Sequence, residues 1–291
     1  MTSHVKEPGG AAPRLHLATN QYPWMTFYRR DGRNFAQSLA TAIDEVGASG
    51  LDGYEPLVED IHQLEALVPL LQQRGLAMRS LYVNSTLHLA DAAETSIARI
   101  LAIAEQAQAA GTRFIVTNPT PLRWGGPEDK DDAQLRTQAA ALNRLGERLA
   151  ARGLTLAYHH HDAELRHAAR ELHHMLNGTD PALVTLCLDA HWVYRGAGNS
   201  CVALFDILQL YGARVTELHV RQSAGGIWTE AFGPGDIDYA ALAAALARVG
   251  VRPHLVLEQA VQAETPKTLD ALTAHRRGVA YAREVFAGLA D

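Results

Sequence analysis

Residues 153–167 read GLTLAYHHHDAELRH. The glycine marks a helix stop, because glycine enters the left-handed conformation of a helix C-terminus without steric cost. Residues 154–158 then form a short, continuous apolar run, the pattern of a strand buried on both faces in a parallel sheet. The run ends in His159-His160-His161-Asp162, and a helical stretch at about 164–176 follows. This is one βα unit.

The same punctuation recurs along the chain. Apolar runs follow Gly50 (LDGYEPL), Gly75 (LAMRSLYV), Gly111 (TRFIVTN), Gly212 (ARVTELHV) and Gly250 (VRPHLVLEQ). Two more strands are expected near 15–20 and 182–192, the second after Asn177-Gly178. The intervening segments have helical period: Phe35, Leu39, Ala42, Ile43 and Val46 share one face, as do Ile97, Ile100, Leu101 and Ala104. Further helices are expected at about 59–74, 132–151, 199–211, 238–249 and 266–288. Eight strands alternating with eight helices predict an α/β fold, a single (β/α)8 TIM barrel over residues 14–291, and such a barrel takes about 250 residues. The rival, an open doubly wound sheet, lacks its fingerprint: NQYPW follows the first strand where a glycine-rich phosphate loop would stand.

Composition narrows the function. Hydrophobic residues are 47% and charged residues 20%, the balance of a folded globular protein. A net charge of −6 argues against a nucleic-acid binder, which needs a basic face. Cys187 and Cys201 are expected to be two reduced thiols, in keeping with a cytoplasmic location. Nothing approaches the ~20 apolar residues of a membrane span. Residues 1–13 are polar and rich in Gly and Pro, lack the apolar region of a signal peptide, and are expected to be a flexible tail.

In barrels of this type, chemistry collects at the C-terminal ends of the strands. The fifth strand ends in Tyr158-His159-His160-His161-Asp162, the sixth in Leu188-Asp189-Ala190-His191-Trp192, the seventh in Leu218-His219-Val220-Arg221, and the eighth in Leu257-Glu258-Gln259. Alternation along a strand points His159 and His161 to one side, Tyr158 and His160 to the other. Four successive strands therefore bring His159, Asp189, His219 and Glu258 to one rim. Two imidazoles and two carboxylates suit a first-row divalent ion such as Mn²⁺, Co²⁺, Zn²⁺ or Fe²⁺. The competing reading of Asp189 is a cap on the following helix. His160 reads as a packing residue, and His173 and His174 as solvated positions within a helix. His161 and His191 read as supporting or substrate contacts. Asn20, Trp24, Glu55, Asn118 and Trp124 lie at or after strand ends and are expected to wall a substrate pocket, Trp24 from a first-strand loop at 20–24.

The segments YHHHDAEL (158–165), TDPALVTLCLDAHW (179–192), ELHVRQ (217–222), FGPGDIDY (232–239) and LVLEQ (255–259) together resemble the sugar phosphate isomerase/epimerase superfamily, as does SLATAIDEVGASGLDGYE (38–55). The resemblance is clearest from 154 to 259. It implies a xylose isomerase-like barrel, among whose members are inosose dehydratases, keto-sugar 3-epimerases and, more distantly, endonuclease IV. It implies metal ligation by Asp189, His219 and Glu258, and substrate contact by Arg221. The fifth-strand position departs from the pattern: many epimerases carry a glutamate there, and this chain has His159. Trp192 stands where endonuclease IV has a further histidine, three residues after the aspartate. The GPGDIDY segment matches a loop that opens a helix, or is simply a turn and a cap.

The chemistry so implied is proton abstraction next to the carbonyl of a keto-sugar or keto-polyol, through an enediolate stabilised by the metal. Glu258 is the first choice of base and His161 the second. Reprotonation gives an isomerase or epimerase. That is the first reading; loss of a β-oxygen, giving a dehydratase or lyase of the inosose dehydratase type, is the alternative, supported by imidazoles that can protonate a leaving oxygen. A non-catalytic sugar- and metal-binding barrel is the third reading. The expected partner is a small sugar or polyol, not nucleic acid or membrane, and barrels of this kind often pair as homo-oligomers.

Overall fold

The computed structural model describes residues 14–290. Eight strands run parallel: β1 (Leu17–Asn20), β2 (Gly53–Glu55), β3 (Ser80–Ser85), β4 (Phe114–Pro119), β5 (Thr155–Tyr158), β6 (Val184–Asp189), β7 (Val215–Val220) and, last in the chain, β10 (His254–Leu257). A small antiparallel hairpin, β8 (Ser223–Ala224) and β9 (Ile227–Trp228), intervenes after β7. The hydrogen-bonded order is β2-β1-β10-β7-β6-β5-β4-β3. Parallel bridges Gly53–Ala77 and Leu57–Tyr82 join β2 to β3, so the sheet curls into a barrel. The expected fold class is the observed one. The expected tail at 1–13 lies outside the described residues.

Helices α2 (Leu39–Ala48), α3 (His62–Gln73), α4 (Ala90–Ala109), α5 (Asp132–Ala150), α6 (Arg166–Gly178), α8 (Cys201–Tyr211), α9 (Tyr239–Val249) and α10 (Ala271–Val285) match the expected set to within a few residues. Gly153 ends the α5 region with φ +73, and Gly50, Gly75, Gly111 and Gly250 are likewise left-handed. Gly212 differs: its φ is −55, and the chain continues into a short 3-10 turn. Two helices were not legible. One is α7 (Ala190–Gly196), directly after β6. The other is α1 (Gln21–Arg30), which replaces the expected loop at 20–24. Pro23 fits there because the first turn of a helix needs no intrahelical N–H donor. His173 and His174 are half-buried rather than solvated, and His173 Nδ1 lies 2.7 Å from the Tyr211 hydroxyl.

Strand alternation splits the interior in two. Leu156, Tyr158, Leu186, Leu188, Leu218, Val220, Leu255 and Leu257 face the helices and join one continuous apolar core. Val116, Ala157 and Cys187 face inward and form a separate small cluster with Tyr82. The inward register continues upward from Ala157 to His159, from Cys187 to Asp189, from Glu217 to His219 and from Val256 to Glu258. Toward the opposite, N-terminal end of the strands, His254 packs between His16, at a ring distance of 5.3 Å, and Phe114, at 6.0 Å.

The GPGDIDY segment serves the turn-and-cap role. Asp238 caps α9 by accepting from the Ala241 N–H, and Asp236 accepts from the N–H groups of Gly225 and Gly226 in the hairpin. Gly235 is required by closeness: a Cβ there would lie 2.3 Å from the Ser223 carbonyl oxygen.

Candidate metal centre and active site

His159, Asp189, His219 and Glu258 converge at the C-terminal mouth, with one ligating atom from each lying within 4.8 Å of all the others. Their donor atoms are prepared to different degrees. His159 Nε2 and Asp189 Oδ2 are 3.8 Å apart, both are buried, and neither has a hydrogen-bond partner. A buried polar atom without a partner costs roughly 1–3 kcal/mol, so two aimed at one point are the mark of a missing common partner. The other Asp189 oxygen accepts from the Trp192 N–H at 2.8 Å. The aspartate therefore caps α7 with Oδ1 and leaves Oδ2 facing the cluster. Burial raises its carboxyl to about 7, against a smaller opposing pull from Arg221. Burial also holds His159 well below its ordinary value, leaving a neutral imidazole with a free lone pair. The Tyr82 hydroxyl lies 3.4 Å from His159 Nδ1, which leaves Nε2 for the centre.

His219 is held on both ring nitrogens. Nδ1 is 2.8 Å from Glu258 Oε2; Nε2 is 2.9 Å from Glu217 Oε1 and 3.3 Å from Glu55 Oε1. Burial alone would lower this imidazole, but its neighbours Cys187, Glu55 and Glu217 outweigh it and raise it well above the ordinary value. Burial also keeps the Cys187 thiol neutral, so the Glu55 charge and the Glu217 hydrogen bond carry that effect. Glu217 is pushed up by burial and by the Glu55 charge, while contacts with His219 keep Glu55 low. Glu258 is ionised despite burial, at about 2, because Arg221 and His219 overcome the desolvation. Its Oε2 also accepts from Asn20 Nδ2 at 2.7 Å, its Oε1 pairs with the Arg221 guanidinium, and Arg221 Nε donates to the Glu258 carbonyl at 2.9 Å. The donor set fits one divalent ion of borderline or hard character. Such an ion would take the place of the His219–Glu258 proton and compensate the buried Asp189 charge.

A cavity of about 510 Å³ opens beside this cluster. Of the sequence-predicted residues, Asn20, Glu55, Trp124, His159, His161 and Glu258 line it. His159 and His161 face it together, with ring centroids 4.9 Å apart, while His160 packs on the other side, as alternation predicts. His161 is neutral, lowered to about 4 by burial. Its Nδ1 is enclosed without a partner, and its ring borders both this cavity and an adjoining one.

Other expected residues lie elsewhere. Trp24 is fully buried and stacks on His275 at 4.0 Å, because α1 turns it into the core, and Tyr22 lines the cavity in its place. Asn118 is buried and donates to the His159 carbonyl and to Glu164, so it supports the end of β5. His191 is buried against Ser223 at 3.2 Å. Arg221 lies beneath Trp228 and Trp192, holding Glu258 instead of lining the cavity. Sequence reasoning missed Glu217. The available signal was its place two residues before His219 on the same strand face, a charged residue in an apolar run.

An eight-stranded parallel barrel with a polar centre where its strands end C-terminally is the architecture of the large class of α/β-barrel proteins whose sites are built on strand ends. Residues 35–284 match the model of the xylose isomerase-like TIM barrel family, and the chain belongs to that family. Inosose dehydratases of Clostridium botulinum and Clostridium perfringens are each 26% identical to it, over 191 and 190 residues; each match covers 62% of this chain and 62% of the relative, less than two thirds of those proteins' length. Among solved structures, a sugar phosphate isomerase/epimerase of Parabacteroides distasonis superposes with TM-score 0.71 at 14% identity, covering 98% of both chains. The 3-keto-D-glucoside 4-epimerase of E. coli superposes with TM-score 0.67 at 16% identity, covering 93% of this chain and 100% of that one. At these identities the structural likeness shows the fold alone.

Proposed function

We propose that this chain is a divalent-metal-dependent enzyme that removes the proton next to the carbonyl of a keto-sugar or keto-polyol. The observation that carries the proposal is the pair of unpartnered buried atoms, His159 Nε2 and Asp189 Oδ2, facing each other within the four-residue cluster at the wall of the cavity. His159, Asp189, His219 and Glu258 would hold the ion. When bound, it supplies Lewis acidity that steadies the negative charge developing on the carbonyl oxygen.

The chain's own groups handle the proton. Glu258 is committed on both oxygens, to Asn20 and His219 on one and Arg221 on the other, so it serves first to hold. His161 is neutral and faces the cavity, which makes its Nε2 the better base. It takes the proton, and the C–H electron pair becomes the carbon–carbon double bond of an enediolate. In elimination the pair that the carbonyl π bond had placed on oxygen re-forms the carbonyl, the C=C pair shifts to a new carbon–carbon double bond, and the β-oxygen leaves with its C–O pair, taking the proton that the His161 imidazolium returns.

Elimination is the reading favoured by His159 in place of a second strand-end carboxylate and by the 26% identical inosose dehydratases. Epimerisation, with the proton returned to the opposite face, is the second reading, supported by the likeness to the keto-sugar epimerase folds. The test is incubation of a keto-inositol or ketohexose in deuterated buffer with Mn²⁺. Deuterium should enter the carbon next to the carbonyl, and an unsaturated product should follow. Failure of any exchange with metal present would overturn the proposal.

A further inference from the structure

We infer that the cavity takes an uncharged keto-sugar bearing a flat apolar substituent, held against Trp124 and the other apolar side chains of the wall, in preference to a free or phosphorylated sugar. The inference rests on the function proposed above and names the substrate class of that site. Three observations carry it.

The first is size. About 510 Å³ lies within the roughly 300–1,000 Å³ that encloses a drug-sized ligand, and one sugar ring at the metal centre leaves much of it unfilled.

The second is the wall. Polar groups, among them Gln21, Asn84, His161 and Asp162, share the wall with Tyr22, Met25, Leu57, Trp124 and Trp192. Trp124 lies edge-on to His161 at 5.0 Å, and Trp192 follows at 5.5 Å, so aromatic surface begins where the imidazoles end. Trp124 remains 55% exposed and Tyr22 41% exposed. Large rings left in water beside a cavity gain by covering a ligand's apolar face.

The third is charge. Among the described residues no Lys or Arg lines this cavity, whereas Glu55, Asp162 and Glu258 do. Arg123 and Arg166 line an adjoining cavity of about 200 Å³ and are paired with Glu128 and Asp129. Arg29, Arg30 and Lys267 line another cavity that shares only Tyr22 with this one. A phosphate placed away from the metal would find carboxylates and no lining Lys or Arg side chain.

The experiment is calorimetric titration of the full chain, with Mn²⁺, using phenyl 3-keto-glucoside, methyl 3-keto-glucoside and 3-keto-glucose 6-phosphate. The phenyl compound should bind about tenfold more tightly than the methyl one, equivalent to about 1.4 kcal/mol. Trp124→Ala should reduce that ratio to about twofold, and Trp124→Phe, which keeps a ring, should preserve most of it. The phosphate should bind no more tightly than the methyl compound. A wild-type ratio near one, a ratio unmoved by Trp124→Ala, or tightest binding by the phosphate would overturn the inference. The binding ratio and the deuterium exchange are separate readouts, so the two proposals fail separately. A preserved phenyl preference without deuterium exchange removes only the proposed function, and exchange with a ratio near one removes only this inference.

Discussion

Glu217 Oε1 lies 2.9 Å from His219 Nε2, two residues along the same strand, on the side of the ring opposite Glu258. A carboxylate behind a ligating imidazole fixes its tautomer and orientation, and loss of such a group typically costs 10–100-fold in metal affinity. Glu217→Gln should therefore weaken Mn²⁺ binding by about that factor. Titration calorimetry at fixed pH checks this, with circular dichroism to confirm an intact barrel. Unchanged affinity would show that Glu217 only fills the barrel interior.

Arg221 and Glu258 form a buried ion pair, closed further by the Arg221 Nε bond to the Glu258 carbonyl. Removing one partner of such a pair usually costs about 3–5 kcal/mol, because a charge is left uncompensated in the interior. Arg221→Leu should fall toward the lower end of that range, since His219 and Asn20 still donate to Glu258. Urea unfolding measures the loss, and the double variant Arg221→Leu/Glu258→Gln should recover part of it.

Stability should also fall in acid through histidines remote from the centre. Burial lowers His16 to about 4, helped by Arg79; burial and His16 lower His254 to about 3; burial lowers His275 to about 4. Each binds a proton more readily in the unfolded chain, whose histidines titrate near 6.5. The unfolded state therefore holds more protons below that pH, and unfolding free energy drops as pH falls from about 6.5 toward 4. Thermal melts across pH 4–8 should show this decline, and His275→Phe should make it shallower. A melting temperature flat over that window would contradict the assignment.

The barrel was legible because its signals are local and repeated: a glycine stop, an apolar run, a polar end. The convergence of His159, Asp189, His219 and Glu258 was legible because strand alternation sets which side chains reach the mouth. The parts that failed depend on packing between distant segments. Nothing local distinguishes Gln21–Arg30 as a helix from a pocket loop, yet that choice exchanges Trp24 for Tyr22 at the cavity. Arg221 and His191 sit at correct strand ends, but whether such a residue faces substrate or supports a neighbour is set by the opposing chain, Glu258 in one case and Ser223 in the other. Glu217 is a charged residue in an apolar strand, and only the fold brings Glu55 and His219 around it.

The most direct test of the account is the stoichiometry of Mn²⁺ bound by the purified full chain, compared with that of Asp189→Ala and His159→Ala, measured by elemental analysis after equilibrium dialysis. The account predicts one ion per chain in the wild type and its loss in both variants, with the fold retained. Equal metal content in all three proteins would contradict it.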